Sequence, residues 1–285
     1  MGARFAIIGD LQETSPLEFW REDNAAERAL LVRRIADERP SFVVLLGDLV
    51  FDGSSPRQWR RFDELVAPLA RAGIPLLPIL GNHDYWRGKE KNLPLVYERF
   101  PELVEGRFRR RRFESVELLF LDSNAPAFAP LEWKAQTEWF AGALRAADGD
   151  PACRATLVFV HHPPFTNSAV SRGSNVVRSS FVQPFVAAAK TRAMFSGHVH
   201  SYERFEHGGK TFVVSGGGGG PRVRLVRGPL RRHGDLYRPA RAASRRPCHY
   251  LSVETSNRTL SVESVGLEKG CRAFATMEAF HLVLA

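Results

Sequence analysis

The chain has 285 residues, enough to bury a sizeable core in one large domain or two modest ones. A hydrophobic content of 44% with 25% charged residues is ordinary for a soluble globular protein. No apolar stretch approaches the ~20 residues that span a bilayer, so we expect no membrane partner. The net charge of +9 fits an anionic substrate or nucleic acid, but charge alone does not decide function.

The cysteines and the first residues bear on the cellular compartment. Three widely spaced cysteines, Cys153, Cys248 and Cys271, form no zinc-ribbon or Cys-x-x-Cys pattern, which favours reduced structural thiols. The apolar run at residues 5–8 is too short for the core of a signal peptide. If the first residue is the natural start, these features predict a cytoplasmic protein.

Short apolar runs, typical of buried strands, alternate with segments of helical spacing along much of the chain. The pattern predicts, in chain order, a strand at 5–8, a helix at 24–36, a strand at 42–46, a helix at 57–72 and a strand at 76–80. There follow paired strands at 109–113 and 116–121, a helix at 131–147, a strand at 156–160 and a short helix at 181–190. The last predicted strands lie at 193–196, 211–215, 249–254, 259–265 and 279–284.

This alternation predicts an α/β fold with a parallel component. The β-rich last third indicates a second sheet packed on the first, which makes a four-layer α-β-β-α sandwich of two mixed sheets. No linker rich in Pro, Gly and Ser divides the chain, so we expect a single domain over residues 1–285. Residues 216–247 are rich in arginine and poor in apolar residues, and we predict a long basic loop there.

Five short segments with polar or charged side chains each follow a predicted strand. Because loops at the carboxyl ends of parallel strands share one edge of a sheet, we expect the five to converge. Their Asp, Asn and His side chains form a mixed oxygen and nitrogen set, which suits Fe, Mn, Zn or Co better than Ca or Mg. The segments are Gly9-Asp10-Leu11-Gln12, Gly47-Asp48-Leu49-Val50, Gly81-Asn82-His83-Asp84, His161-His162-Pro163-Pro164 and Gly197-His198-Val199-His200.

In order and spacing, these segments resemble those of the calcineurin-like metallophosphoesterase superfamily. Three of the sequence motifs are most similar to those of the purple acid phosphatase branch: Gly-Asp-Leu, Gly-Asn-His-Asp and Gly-His-Val-His-Ser-Tyr-Glu-Arg. The resemblance covers roughly residues 4 to 215. It implies hydrolysis of a phosphoester at two metal ions, in which a hydroxide held between the ions attacks the phosphorus in line.

The resemblance also implies roles for individual residues. His83 would contact the substrate and act as general acid, and Asp84 would hold its imidazole in one orientation. Six side chains would bind the two ions: Asp48 both, Asp10 and His200 the first, and Asn82, His161 and His198 the second.

Two positions depart from the family pattern. Gln12 stands where many members have a His ligand of the first metal, and an amide oxygen ligates more weakly. Phe51 stands where the purple branch has a Tyr, so the tyrosinate colour of that branch should be absent. A degenerate, non-catalytic member is therefore an alternative.

The adjacent histidines of the fourth segment leave the second metal ligand open. Both His161 and His162 satisfy the His-x-Pro pattern of the family. We favour His161, because it lies directly at the strand exit. His162, like Gln12, is then either a metal ligand or a neighbour of one, with substrate contact as a further role.

Three segments invite other interpretations. Alternate side chains of a strand point to opposite faces, so the four arginines at 109–112 cannot share one face, and a solvated hairpin is favoured over a nucleic-acid patch. The glycine run at 216–220 lacks the Lys-Ser/Thr of a phosphate-binding loop and is predicted to let the backbone pass close to the site. The basic segment 222–246 either overhangs the pocket or is a solvated insertion.

The favoured function is hydrolysis of a phosphomonoester by a centre of two divalent or trivalent ions (Fe, Mn or Zn), because the resemblance is to acid phosphatases. The first alternative is a phosphodiesterase acting on a nucleotide or another diester. The second is a non-catalytic module that binds metal or nucleic acid, a partner that we do not favour. The substrate-binding residues and the oligomeric state are not indicated.

Overall fold

The computed structural model describes residues 2–238 and 245–285. Within these residues, two six-stranded sheets form the centre of the molecule. Their strands are β1 (Arg4–Ile8), β2 (Val43–Leu45), β3 (Leu76–Pro78), β4 (Arg109–Phe113), β5 (Val116–Phe120), β6 (Ala155–Val160), β7 (Thr191–Ser196), β8 (Tyr202–His207), β9 (Lys210–Ser215), β10 (Cys248–Thr255), β11 (Thr259–Leu267) and β12 (Phe274–Val283).

Both sheets mix parallel and antiparallel pairs. The first has the strand order β12-β11-β10-β1-β2-β3, and only β1, β2 and β3 pair in parallel. The second has the order β4-β5-β6-β7-β9-β8, with parallel strands in the middle and antiparallel β4 and β8 at the edges. In each sheet the carboxyl ends of the parallel strands therefore lie along one edge.

Helices cover the outer face of each sheet. Their bounds are α1 (Ala25–Glu38), α2 (Pro56–Arg71), α3 (Lys89–Arg99), α4 (Pro130–Gly149), α5 (Asn175–Val177) and α6 (Gln183–Ala187). Short 3₁₀ turns lie at Pro16–Glu18, Pro101–Leu103, Ala125–Ala127 and Gly228–Leu230, and a π-turn at Arg178–Val182. Among the described residues, no helix has the length and apolar character needed to cross a membrane.

Three apolar layers hold these elements together, as the alternation of side chains on a strand requires. Along β1, Phe5 and Ile7 point into the layer between the sheets, whereas Ala6 and Ile8 pack under α1 and α2. The outer face of the second sheet packs against α4, where Phe140 is fully buried. The predicted four-layer α-β-β-α sandwich is thus confirmed.

Some elements differ from the sequence-based expectation. The prediction missed α3, which contains Pro94 and has a weak apolar stripe, and it missed β8, in which charged residues interrupt the apolar ones. The short helix predicted at 181–190 is instead a chain of three short turns over 175–187. The local pattern of apolar residues does not reveal these elements, because packing against the rest of the fold stabilises them.

The predicted hairpin of arginines is confirmed, since β4 pairs antiparallel with β5. Its solvation was only partly predicted. Arg109 is largely buried: its guanidinium donates to the Pro78 carbonyl at 2.7 Å and lies over the Phe120 ring at 4.8 Å. Arg112, on the other face, pairs with Glu117 at 2.9 Å.

Candidate metal centre

The five predicted segments meet at the shared carboxyl edge of the two sheets. Three of them follow β1, β2 and β3 of the first sheet, and two follow β6 and β7 of the second. A contact between His161 Nδ1 and the Leu46 carbonyl, at 2.7 Å, joins the two sheets at this edge. Residues far apart in the sequence therefore surround one small volume between the sheet ends.

The backbone turns sharply where the polar side chains begin. Asp10, Asp48 and His198 have positive φ angles of 62°, 52° and 66°, a conformation that residues other than glycine rarely adopt. Such strain persists only where surrounding contacts hold it in place, and it is common at functional sites. Here it aims the two carboxylates and the imidazole into the space between the sheets.

The first group of donor atoms is Asp10, Asp48 and His200, which lie close enough to hold one ion. His200 Nε2 lies 3.4 Å from Asp10 Oδ1. The Gln12 amide nitrogen lies 3.4 Å from both His200 Nε2 and Asp48 Oδ2. Gln12 therefore reaches the position at which the family pattern has a histidine ligand.

The second group surrounds the Asn82 side chain. Its Oδ1 lies 2.8 Å from His198 Nδ1 and 3.2 Å from His161 Nε2. His161 Nε2 is also 3.4 Å from Asp48 Oδ2. The Asp48 Oδ2 atom thus lies between the two groups, which is the position that a bridging ligand requires.

Backbone carbonyls fix the tautomers of two histidines. A carbonyl oxygen only accepts, so His161 Nδ1, 2.7 Å from the Leu46 carbonyl, carries the proton. His200 Nδ1 donates in the same way to the Pro221 carbonyl at 2.9 Å. The Nε2 atoms of both rings therefore face the carboxylates, and a proton on Nε2 is the one that a bound cation would displace.

The electrostatics of the cluster also suit cations. Burial and, after it, the charge of the neighbouring His161 lower the pKa of His198 to about 3, so this imidazole is neutral and offers a lone pair. Burial raises the pKa of the fully buried Asp10. Burial opposes the charge on His161 too, but the nearby Asp48 carboxylate outweighs it and raises the His161 pKa to about 9.

An unpaired buried atom tests whether metal ions fit this site. Among the described residues, the buried Gln12 Oε1 has no hydrogen-bond partner, a state that costs free energy unless something binds it. Two buried carboxylates lie beside it, and their charge is also costly without a cation. The oxygen and nitrogen donors, the fixed tautomers and this orphaned oxygen together fit bound transition-metal ions.

The structure corrects the role predicted for Asp84. Its carboxylate accepts hydrogen bonds from the backbone N–H groups of Gly81, Asp48 and Leu49 at 2.8, 3.0 and 2.9 Å, so it braces the ligand loops. The imidazole of His83 is instead oriented by the Phe51 carbonyl, 2.7 Å from Nδ1. The predicted role came from the family resemblance, which matches residue types but does not reveal the contacts that a side chain makes within the turn.

A comparison with known protein families matches the part of the chain that contains these residues. The sequence model of the calcineurin-like phosphoesterase family matches residues 3–202. The chain belongs to the calcineurin-like phosphoesterase family. The match extends from β1 to the beginning of β8 and includes all five segments of the candidate metal centre.

Two curated proteins are similar to this chain in sequence. It is 30% identical over 188 residues to a probable cyclic nucleotide phosphodiesterase of Rhodopseudomonas palustris, covering 62% of this chain and 64% of that protein. It is 30% identical over 203 residues to the serine/threonine-protein phosphatase CPPED1 of Bos taurus, covering 64% of this chain and 60% of that protein. The chain thus spans less than two thirds of the length of these relatives.

Solved structures share the fold of this chain. Purple acid phosphatase PPD1 of Lupinus luteus has a TM-score of 0.73 at 16% identity, covering 99% of this chain and 53% of that chain. A dimetal phosphatase of Danio rerio has a TM-score of 0.65 at 16% identity and covers 99% of both chains. At this identity the likeness concerns the fold alone.

The second histidine of the His-His-Pro-Pro segment also faces the candidate metal site. His162 lies close enough to His161 and His198 for the three to hold an ion. The Ser123 hydroxyl accepts a hydrogen bond from the His162 backbone N–H at 3.0 Å and contacts Nδ1 at 2.9 Å. A hydroxyl can donate or accept, so both predicted roles of His162 stay open. Ser123 lies at the exit of β5, in the segment Leu121-Asp122-Ser123-Asn124, which is also similar to the purple acid phosphatase branch but predicted no individual role for this serine.

The glycine run at 216–220 packs against the site, as predicted. A Cβ added at Gly220 would lie 2.6 Å from the His200 ring, and one at Gly216 would lie 2.7 Å from Asp10 Oδ2. The backbone N–H of Gly220 donates to the Asp10 carbonyl at 2.9 Å. Any side chain at these positions would therefore displace a predicted metal ligand.

The basic segment that follows is packed rather than fully solvated. Arg222 pairs with Glu22 at 2.9 Å, and the Arg232 guanidinium donates to the Thr166 carbonyl at 3.2 Å. Arg246 pairs with Asp235 at 2.5 Å. These contacts hold the described part of the segment beside the site, whereas residues 239–244 lie outside the described residues.

Proposed function

We propose that this family member hydrolyses phosphoesters with two bound metal ions. The observation that carries the proposal is the position of Asp48, whose Oδ2 atom lies between the two donor groups. The first ion would be held by Asp10, Asp48 and His200, with Gln12 beside it. The second would be held by Asp48 and the Asn82, His161 and His198 side chains.

Such ions, when bound, would neutralise the charge of the phosphoryl oxygens and lower the pKa of an attacking water. The chain's own residues keep the site ready for them. Backbone carbonyls hold His161 and His200 in the ligating tautomer, and Asp84 fixes the Asp48 backbone. This preorganisation avoids rearrangement of the ligand loops during the reaction.

His83 is the proposed proton donor to the leaving oxygen. Its Nδ1 donates to the Phe51 carbonyl, so Nε2 is the atom that can gain and release a proton. The His83 backbone N–H also donates to Asp48 Oδ1 at 2.8 Å, which ties this residue to the bridging carboxylate. The Phe51 and Trp86 rings pack against the imidazole at 4.8 and 4.7 Å and limit its rotation.

A phosphomonoester is the favoured substrate class, because the sequences of the motifs are most similar to those of acid phosphatases. A phosphodiester is the second candidate, supported by the 30% identity to a probable cyclic nucleotide phosphodiesterase. The 30% identity to a protein phosphatase supports the first. Both reactions use the same centre and differ in what surrounds the phosphorus.

The test is metal content together with hydrolysis of p-nitrophenyl phosphate and bis(p-nitrophenyl) phosphate. The chain is stripped of metal and reconstituted separately with Mn, Fe, Zn and Co. We expect two ions per chain and turnover of the monoester above that of the diester. The reverse ratio would establish the phosphodiesterase.

An Asp48→Asn variant is the control for the metal centre. One carboxylate serves both ions, so this variant should lose metal content as well as turnover. Full metal occupancy in the variant would contradict the bridging role. Absence of turnover by the wild-type chain with every metal would reject hydrolysis itself.

A further inference from the structure

The exposed apolar side chains are concentrated at the edge that carries the metal centre. Of the eleven large apolar side chains exposed among the described residues, two lie elsewhere, at Val104 and Val283. The other nine lie in segments that follow the carboxyl ends of β1, β3, β5, β6 and β9. They are Leu17, Phe19, Trp20, Trp86, Leu131, Val170, Val176, Leu230 and Leu236.

One group of these side chains belongs to the loop at residues 13–22, which we call the aromatic loop. Leu17, Phe19 and Trp20 are 82%, 86% and 70% exposed, and the two aromatic rings contact each other edge to face at 5.2 Å. The Thr14 hydroxyl donates to the Glu22 carbonyl at 2.6 Å and closes the loop. The loop therefore presents its apolar side chains to solvent as a defined protrusion, which is unusual in a structure without a partner.

A second group belongs to two paired segments, 166–172 and 223–231, which we call the basic ribbon. The backbone N–H of Ala169 donates to the Arg224 carbonyl at 2.9 Å, and that of Val226 donates to the Asn167 carbonyl at 2.7 Å. The ribbon exposes Val170 and Leu230, 77% and 79% exposed, beside exposed arginines. The exposed arginines are Arg172, Arg224, Arg227 and Arg231.

The two protrusions are connected next to the metal centre. Glu22, at the end of the aromatic loop, pairs with Arg222 at 2.9 Å, just before the basic ribbon. The Val223 backbone N–H donates to the carbonyl of His200, a predicted metal ligand, at 3.2 Å. The aromatic loop and the basic ribbon thus form one rim along the side of the site.

The charge of the ribbon region identifies the kind of surface that would cover this rim. The described residues 161–180 and 216–238 contain eight arginines and one acidic residue, Asp235. The three glutamates of the aromatic loop are each paired with an arginine. Exposed arginines interspersed with aliphatic tips match an anionic bilayer, in which the arginines meet headgroups and the apolar tips enter the acyl boundary. Trp20 and Phe19 have the chemistry that favours such an interface. Nucleic acid would call for aromatic platforms within the ribbon, whose exposed apolar side chains are aliphatic.

We infer that the rim formed by the aromatic loop and the basic ribbon docks this protein on an anionic lipid surface, with the metal centre facing the membrane. This contact is peripheral and needs no spanning helix. It departs from the sequence-based expectation of no membrane partner, which rested only on the lack of a long apolar stretch. The inference rests on binding alone and stands or falls independently of phosphoester hydrolysis.

The experiment is flotation of the full chain with vesicles of phosphatidylcholine, and of phosphatidylcholine mixed with phosphatidylserine. We expect flotation with the mixed vesicles, little with the neutral ones, and release by high salt. The double variant Phe19→Ser/Trp20→Ser should lower binding about tenfold or more, because two large apolar side chains no longer leave water. Arg224→Ser/Arg231→Ser should remove the preference for anionic lipid.

Matched controls lie at the opposite edge of the first sheet. Val283 and Arg258 are exposed there, so Val283→Ser and Arg258→Ser should bind vesicles like the wild type. Thermal unfolding of each variant verifies folding. The inference is overturned if the wild type does not float, if both double variants float unchanged, if the chain binds RNA or DNA but no vesicle, or if Phe19→Ser/Trp20→Ser converts a dimer to a monomer without any vesicle binding.

Discussion

Asp84 holds the backbone of Asp48 in place: its Oδ2 atom accepts a hydrogen bond from the backbone N–H of Asp48 at 3.0 Å. The Asp48 side chain faces the donor groups of the site. The same carboxylate accepts the N–H of Leu49 at 2.9 Å and of Gly81 at 2.8 Å. Two loops that carry predicted ligands are thereby held to one buried side chain. The positive φ of Asp48 is a strained conformation that these hydrogen bonds maintain.

Replacement of Asp84 by Asn should therefore destabilise the fold and the metal centre together. The amide presents N–H groups toward backbone N–H groups, so at least one hydrogen bond to a charged acceptor is lost at a cost of about 2–4 kcal/mol. Urea unfolding of the metal-free chain and metal content measure the two effects. Asp52→Asn is the control, because Asp52 is only half-buried and its carboxylate accepts from Ser54 within its own turn. Equal stability of both variants would contradict the bracing role.

Gln12→Leu should weaken metal binding without destabilising the metal-free chain. The substitution removes the buried Gln12 Oε1 atom, which has no hydrogen-bond partner among the described residues. It also removes the Nε2 contacts with Asp48 and His200, but at 3.4 Å these are long and weak hydrogen bonds. The affinity of the variant for the first metal ion should fall by about tenfold or more, by analogy with the loss of groups that support metal ligands. Titration with Mn or Zn and urea unfolding provide the two readouts.

Gln136→Leu is the matched control for that variant. The Gln136 side chain is also buried, but it accepts the Asp122 N–H at 2.8 Å and donates to the Asp122 carbonyl at 2.9 Å. Its loss should cost about 1–3 kcal/mol of stability through the unpaired backbone groups. A Gln12 variant as destabilised as the Gln136 variant would show that Gln12 has a structural role instead.

His83→Ala should retain both metal ions and lower turnover by roughly 10²–10⁴-fold, the usual contribution of a positioned general acid. The loss should be smaller for p-nitrophenyl phosphate than for glycerol phosphate, because a good leaving group needs less protonation. Metal analysis and kcat for both esters measure this. An equal loss on both esters would assign His83 to binding rather than to proton transfer.

The pH dependence of stability should report Glu203. Burial, helped by the charge of Asp235, raises the pKa of Glu203 to about 7, although the Asn167 N–H donates to its carboxylate. The folded chain thus binds this proton more tightly than the unfolded chain, so its contribution is complete below the ordinary value of 4.5 and is lost as pH rises to about 7.

Glu203→Gln should remove that dependence, because the amide does not titrate. Between pH 4.5 and 7 the wild type should lose about 2–3 kcal/mol relative to the variant. Urea unfolding of both proteins at a series of pH values gives this difference. Parallel pH profiles would mean that the Glu203 carboxyl keeps an ordinary pKa in the fold.

Much of the fold was predictable because burial leaves a direct trace in the sequence. Strands β1, β2 and β6 lie in the middle of the sheets, covered on both faces, so they read as uninterrupted apolar runs. Edge strand β8 carries charged residues and left no such trace. Helix α3 was missed for a related reason, since Pro94 and a weak apolar stripe obscure its period.

The site was predictable to the level of residue type but not of contact. The predicted ligands converge, yet the partners that set their chemistry are backbone carbonyls of Leu46, Phe51 and Pro221, which no sequence pattern marks. The error at Asp84 has the same origin. Asp84 was expected to contact the imidazole of His83. In the structure, the turn directs the Asp84 carboxylate to backbone N–H groups, including that of Gly81.

The glycine run bears on when this centre forms during folding. The Gly218 N–H donates to the Gly9 carbonyl and the Gly220 N–H to the Asp10 carbonyl, while Asn24 reaches the Gly220 carbonyl across 196 residues of chain. Contacts between such distant segments close slowly and late. During synthesis, the first ligand loop therefore emerges long before the segment that encloses it. Metal uptake should accordingly mark one of the last events in folding rather than an early nucleus.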